Sequence, residues 1–132
     1  MAETERPGGR PLSPHLFIYR PMLTMMMSIL HRATGAALYL GTGLLAWFLL
    51  AVSIDVTAFE TASWFLRSIC GQAVLLGFTW ALMQHFLGGL RHALWDRGVW
   101  MEHPQREWLA QATLWGGLAL TALTWALAWL MG

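Results

Sequence analysis

Two groups of polar residues interrupt long apolar stretches of this chain, and their spacing defines the chemistry open to it. The first is Ser28, His31, Arg32 and Thr34. Residues three and four apart share a helical face, so Ser28 lies beside His31 and Arg32. A hydroxyl and a guanidinium placed together in apolar surroundings can hold the carbonyl oxygen of a quinone head group, with Arg32 stabilising negative charge as the ring is reduced. A plainer role also fits: Arg32 reaches to the lipid headgroups and Ser28 bonds back to its own helix. The second group is His85, Gly88, Gly89, Arg91, His92 and Asp96. Seven residues at ~100° each return to within about 20° of the start, so His85, His92 and Asp96 share a face. The two histidines are then about 10 Å apart along the axis, and the glycines leave the wall between them bare. A flat macrocycle can lie on such a wall. Imidazole is a standard axial ligand of haem iron, and the charged edge of the ring would find partners in His31, Arg32 and His92. The alternative is a His85 bonded to a neighbouring helix, with the glycines serving helix packing. A low-spin haem on His85 would need its second axial ligand from another chain, because no other histidine lies deep in an apolar stretch.

These residues sit in a chain of 132 residues that is 57% hydrophobic and only 11% charged, with a mean hydropathy of +0.50. Ordinary soluble domains carry about 25% charged residues, so the composition is that of a membrane protein. The charges are eight arginines and seven acids, a net +1, which argues against nucleic acid or an acidic partner. Cys70 is the single cysteine. It excludes an intrachain disulfide or a cysteine-built metal site and reads as a small buried apolar side chain. The Met25-Met26-Met27 run reads as adaptable packing, since consecutive helical positions point in different directions.

Removing every charged position leaves three long stretches, Ala33 to Ile54, Ser68 to Leu90 and Trp108 to Gly132, of 22, 23 and 25 residues. Each can cross ~30 Å of hydrocarbon at 1.5 Å per residue. None has the polar stripe that a soluble bundle requires. The expected architecture is an all-α membrane protein with three transmembrane helices at approximately 21–53, 62–92 and 106–131. The first begins near Pro21 because proline suits a first helical turn. Residues 21–132 form the membrane domain, and residues 1–20 form a polar cytoplasmic arm. Arg6, Arg10, Arg20 and Arg32 precede the first stretch, and Arg91, Arg97 and Arg106 lie in the second connection. Only Arg67 lies in the first connection, so the N-terminus is expected in the cytoplasm and the C-terminus outside. Trp64, Trp95, Trp100, Trp108 and Trp129 fall near span boundaries, where an amphipathic ring is best accommodated. Trp47, Trp80, Trp115 and Trp125 are expected to face lipid or a partner. Neither a secretory signal nor an Arg-rich transit pattern is visible, which favours a bacterial inner membrane over a mitochondrial one.

The run Arg10-Pro11-Leu12-Ser13-Pro14-His15-Leu16, followed by Ser28-Ile29-Leu30-His31-Arg32-Ala33-Thr34-Gly35, resembles the N-terminal signature of the cytochrome b subunits of succinate dehydrogenase, respiratory complex II. The run from His85 through Gly98 resembles that family's second signature, with Ala93 where the family usually has a larger aliphatic residue. Length and three spans agree. The resemblance implies a membrane anchor that packs with a second hydrophobic anchor subunit and holds an iron-sulfur subunit and a flavoprotein subunit on the bilayer. It implies a haem b shared between the two anchors, with His85 as one axial ligand and a histidine of the second anchor as the other. His31, Arg32 and His92 would lie near the haem propionates, and Ser28 and Arg32 would bind ubiquinone, the substrate. Electrons would pass from succinate through flavin and iron-sulfur clusters to the quinone, and this subunit would have no activity alone. The family's quinone-site tyrosine belongs to the second anchor, so neither Tyr19 nor Tyr39 is a candidate. Two other functions fit the spans: a fumarate reductase anchor, and a purely structural anchor without redox chemistry. The second would leave His85, the bare glycine face and the inward Arg32 without purpose.

Overall fold

The computed structural model describes residues 21–131. The polar arm of residues 1–20, with the first part of the N-terminal signature and Tyr19, lies outside the described residues. Helix α1 spans Leu23–Ile54, α2 Val56–Arg67, α3 Ile69–Asp96 and α4 Gln105–Met131. Helices α1, α3 and α4 are each long and apolar enough to cross a membrane. Their 32, 28 and 27 residues correspond to about 48, 42 and 40 Å. The two longer connections of the sequence differ in kind. The first is not a loop, because most of it is α2. Asp55 takes an extended conformation that ends α1, and its carboxylate accepts the Ala58 N–H at 2.7 Å to cap α2.

The expected span at 62–92 is divided at Ser68. Its backbone is extended (ψ 160°), ending α2, while its hydroxyl accepts the Gly71 N–H at 3.1 Å and starts α3. Gly71 is required at this corner because a Cβ there would run into the Phe65 carbonyl and the Leu66 backbone. Helix α3 continues one turn beyond the charge-free stretch and closes at Gly98, whose φ of +73° is the left-handed conformation common after a helix end. The Gly98 and Val99 N–H groups donate back to the Trp95 and Leu94 carbonyls at 2.8 and 3.1 Å.

Helix α3 is central, packing against α1 on one side and α4 on the other, with α2 across the far end. The contacts are made by small residues. Gly41 receives the Phe78 ring, Gly117 the Gln84 side chain and Gly116 the Leu87 methyl. The distribution of polarity is reversed from that of a soluble bundle. Thr34, Gln84, Arg91, Thr113 and Thr121 are buried, whereas Tyr39, Leu40, Trp64, Ile69, Trp129 and Leu130 are among the exposed large side chains. Such an exterior has lipid or another apolar chain as its natural solvent. The buried hydroxyls are satisfied within their own helices, Thr113 donating to the Leu109 carbonyl and Thr121 to the Gly117 carbonyl, both at 2.7 Å. Cys70 is exposed on α3, not buried as its apolar neighbours suggested. The first turn of α3 leans only on the α2 corner, so its outer face is uncovered. Trp47 and Trp115 are exposed as expected, while the Trp80 Nε1 is buried without a partner among the described residues.

Candidate functional site

Helices α1 and α3 bring His31, His85 and His92 together from positions more than 50 residues apart. The His31 and His85 rings stack with centroids 4.0 Å apart and planes 10° from parallel. His92 lies one further step along, its ring 4.9 Å from that of His31 and tilted by 52°. Two glycines make this possible. A Cβ on Gly88 would come within 2.5 Å of the His31 Nδ1, and one on Gly35 within 3.0 Å of the His85 Cε1. Gly89 meets nothing within 4 Å and faces outward. The glycine pair of the sequence is therefore asymmetric: Gly88 seats a histidine, and only Gly89 presents a bare wall.

The hydrogen bonds of His85 determine which of its nitrogens is available. Its Nδ1 lies 3.0 Å from the His31 backbone carbonyl. A carbonyl oxygen only accepts, so Nδ1 carries the proton and donates. The Thr34 hydroxyl oxygen lies 3.3 Å from the same nitrogen. That hydroxyl donates its own proton to the Leu30 and His31 carbonyls at 2.9 and 3.0 Å, leaving a lone pair toward His85. The other ring nitrogen, Nε2, has no hydrogen-bond partner among the described residues. An imidazole whose Nδ1–H is tied to the backbone and whose Nε2 is unengaged has the orientation in which histidine binds a metal. The hydrogen bond from His85 to a neighbouring helix, one of the two readings of the sequence, is present, and it leaves the other ring nitrogen without a partner among the described residues.

Ser28 and Arg32 form a second unit one helical turn long. The Arg32 Nη2 donates to the Ser28 hydroxyl oxygen at 3.3 Å, on an exposed part of α1. The pairing fulfils the spacing argument and leaves the hydroxyl proton of Ser28 for another acceptor. Among the described residues no three His, Cys, Asp or Glu side chains converge as a set that could hold a metal ion. The histidine cluster is not a chelating set among the described residues. His103 is exposed on the α3–α4 connection, 3.5 Å from the Glu107 carboxylate.

Three buried polar residues stand out: Thr34 and Arg91, which the sequence placed in the two polar groups without a role of their own, and Gln84, which it did not single out. Thr34 is 2% exposed and links α1 to His85. Arg91 is 2% exposed, and its three guanidinium nitrogens have no hydrogen-bond partner among the described residues. The Trp95 ring centroid lies 5.0 Å from the Arg91 guanidinium carbon. Gln84 is also 2% exposed, with its Oε1 unpaired. The signal for Arg91 and Gln84 was their place about one turn to either side of Gly88 on one α3 face.

The chain matches the family model described as succinate dehydrogenase/fumarate reductase transmembrane subunit over residues 6–129. It is 44% identical over 124 residues to a protein of Paracoccus denitrificans named succinate dehydrogenase cytochrome b556 subunit, covering 94% of this chain and 95% of the relative. A Rickettsia prowazekii protein of the same name is 39% identical over 89 residues, 67% of this chain and 68% of the relative. The mitochondrial succinate dehydrogenase cytochrome b560 subunit of Sus scrofa is 41% identical over 103 residues, 74% of this chain and 59% of the relative.

Proposed function

Because the chain belongs to the family of succinate dehydrogenase and fumarate reductase transmembrane subunits, we propose that it is the cytochrome b anchor of a bacterial succinate:quinone oxidoreductase. It sits in the inner membrane with its N-terminus and the histidine-bearing end of the bundle on the cytoplasmic side. There it anchors an iron-sulfur subunit and a flavoprotein subunit alongside a second anchor chain. It has no activity alone. The single observation that carries a haem role is the His85 imidazole, with Nδ1–H donated to the His31 carbonyl and Nε2 left without a partner.

His85 and a histidine of the second anchor would hold a haem b through its iron. His31, Arg32 and His92 would hold the propionates through charge-assisted hydrogen bonds. When bound, the haem would supply one-electron redox chemistry. At the quinone itself the chain's own groups act directly. The Ser28 hydroxyl, whose oxygen already accepts from Arg32, donates its proton as a hydrogen bond to a carbonyl oxygen of ubiquinone. The Arg32 guanidinium stabilises the negative charge that develops there as electrons arrive from succinate, which favours reduction over the resting quinone.

The test is a visible spectrum of the complex purified in mild detergent, before and after succinate. A b-type band that grows with succinate and is blunted by malonate is expected, and His85→Leu should abolish or perturb it. An unchanged band in an intact His85→Leu complex would remove His85 from the iron.

A further inference from the structure

We propose that Thr34 is a positioning residue for His85, its hydroxyl acting with the His31 carbonyl to fix the ring's tautomer and its orientation toward the iron. The inference rests on the haem reading above and extends it to a residue that never touches the cofactor. Three observations carry it. Thr34 is buried to 2% exposure, so its hydroxyl is not exchanging with water. Its oxygen lies 3.3 Å from the His85 Nδ1, while the His31 carbonyl lies 3.0 Å from the same atom. The hydroxyl proton is committed to the Leu30 and His31 carbonyls, so the oxygen presents a lone pair to His85 and cannot donate to it.

The arrangement shares the Nδ1–H between two acceptors on a rigid helical turn. Gly35, directly after Thr34, brings the backbone close enough for the ring to reach both: a Cβ there would be 3.0 Å from the His85 Cε1. A histidine that ligates a metal is held in place by what its other nitrogen donates to, and loss of such a partner typically weakens metal binding about 10–100-fold. Donation from Nδ1 also makes Nε2 a better electron donor, which favours oxidised over reduced iron. Removing the Thr34 oxygen should therefore loosen the haem and make it easier to reduce. The His31 carbonyl remains, so the loss falls at the low end of that range.

The experiment compares Thr34→Val, which keeps the branched shape without the oxygen, with Thr34→Ser, which keeps the hydroxyl. Both are made in the whole complex. Thr34→Ala gives the same readout without added bulk if the valine variant does not assemble. The readouts are the haem redox titration, the low-spin electron paramagnetic resonance signal and the rate of haem loss. Thr34→Val is expected to titrate at a higher potential, to shift the low-spin signal and to lose haem up to about tenfold faster. Thr34→Ser should behave as the parent. A residue serving only helix packing would change assembly or thermal stability and leave the potential and signal in place. That result, or a parent-like Thr34→Val, overturns the proposal. His85→Leu serves as the separating control. If it leaves the haem intact, the haem reading itself fails; if it removes the haem while Thr34→Val is silent, only the role of Thr34 fails.

Discussion

At the residue scale, Arg32 is set apart from the three histidines by exposure, whereas Ser28 is half-buried as they are. Arg32 is exposed and donates to Ser28, so the pair is available to a ligand arriving from outside this chain. Arg32→Ala should lower quinone reduction by about 10²–10³-fold, the effect of removing one positioned donor from developing charge. Succinate oxidation with an artificial acceptor that bypasses the membrane site should hardly change. Equal loss of both rates would show that Arg32 serves assembly instead. The Ser28–Arg32 pairing was legible from a four-residue spacing, as was the His85–His92 face from a seven-residue one. Thr34 and Arg91 were legible only as members of polar groups. A threonine in an apolar helix bonds to its own preceding turn, and the sequence offers no sign that its oxygen also reaches a residue 51 positions away. An arginine near a helix end reads as one that reaches toward the headgroups, yet Arg91 is turned inward and stacked near Trp95.

At the scale of elements, three spans were visible because a charge-free stretch of 20 residues has few other uses. The short helix α2 was not, since Asp55, Glu60 and Arg67 mark a departure from apolar character without distinguishing a loop from a surface helix. What separates them is the capping at Asp55 and Ser68, which depends on backbone geometry at single residues. The adjacent glycines of α3 provide a sharper case. They look interchangeable in sequence but face different surroundings, and paired substitutions should expose the difference. Gly89→Ala adds a methyl where nothing lies within 4 Å, and should leave the haem spectrum unchanged with helix stability equal or raised by up to about 1 kcal/mol. Gly88→Ala places a methyl within 2.5 Å of the His31 Nδ1 and must displace that ring from its stack on His85. A perturbed haem band in assembled Gly88→Ala complex, with Gly89→Ala as the matched silent control, is the expected spectroscopic result. Identical spectra for the two variants would contradict the close α1–α3 approach at His31.

For the whole molecule, the decisive feature is that one end of the bundle gathers chemistry while the exterior stays apolar. His31 and Arg32 near the start of α1 meet Arg91 and His92 near the end of α3, and the α3–α4 connection follows with Arg97 and Arg106. At the opposite end, the α1–α2–α3 corner carries Asp55, Glu60 and a single arginine, Arg67. Three spans would put the two chain ends on opposite sides of the membrane, and the arginine imbalance is the basis of the proposed orientation. In the orientation proposed above, the histidine cluster and the Ser28–Arg32 pair would face the cytoplasm. That is the side from which soluble subunits oxidising a cytoplasmic dicarboxylate would dock, and from which the protons for quinone reduction would be drawn. A reporter fused after Gly132 should show alkaline phosphatase activity and no cytoplasmic fluorescence, and one placed before Met1 should show the reverse. If the C-terminal fusion fluoresces instead, the histidine-bearing end faces outward, and a cytoplasmic electron donor could not reach it across ~30 Å of hydrocarbon.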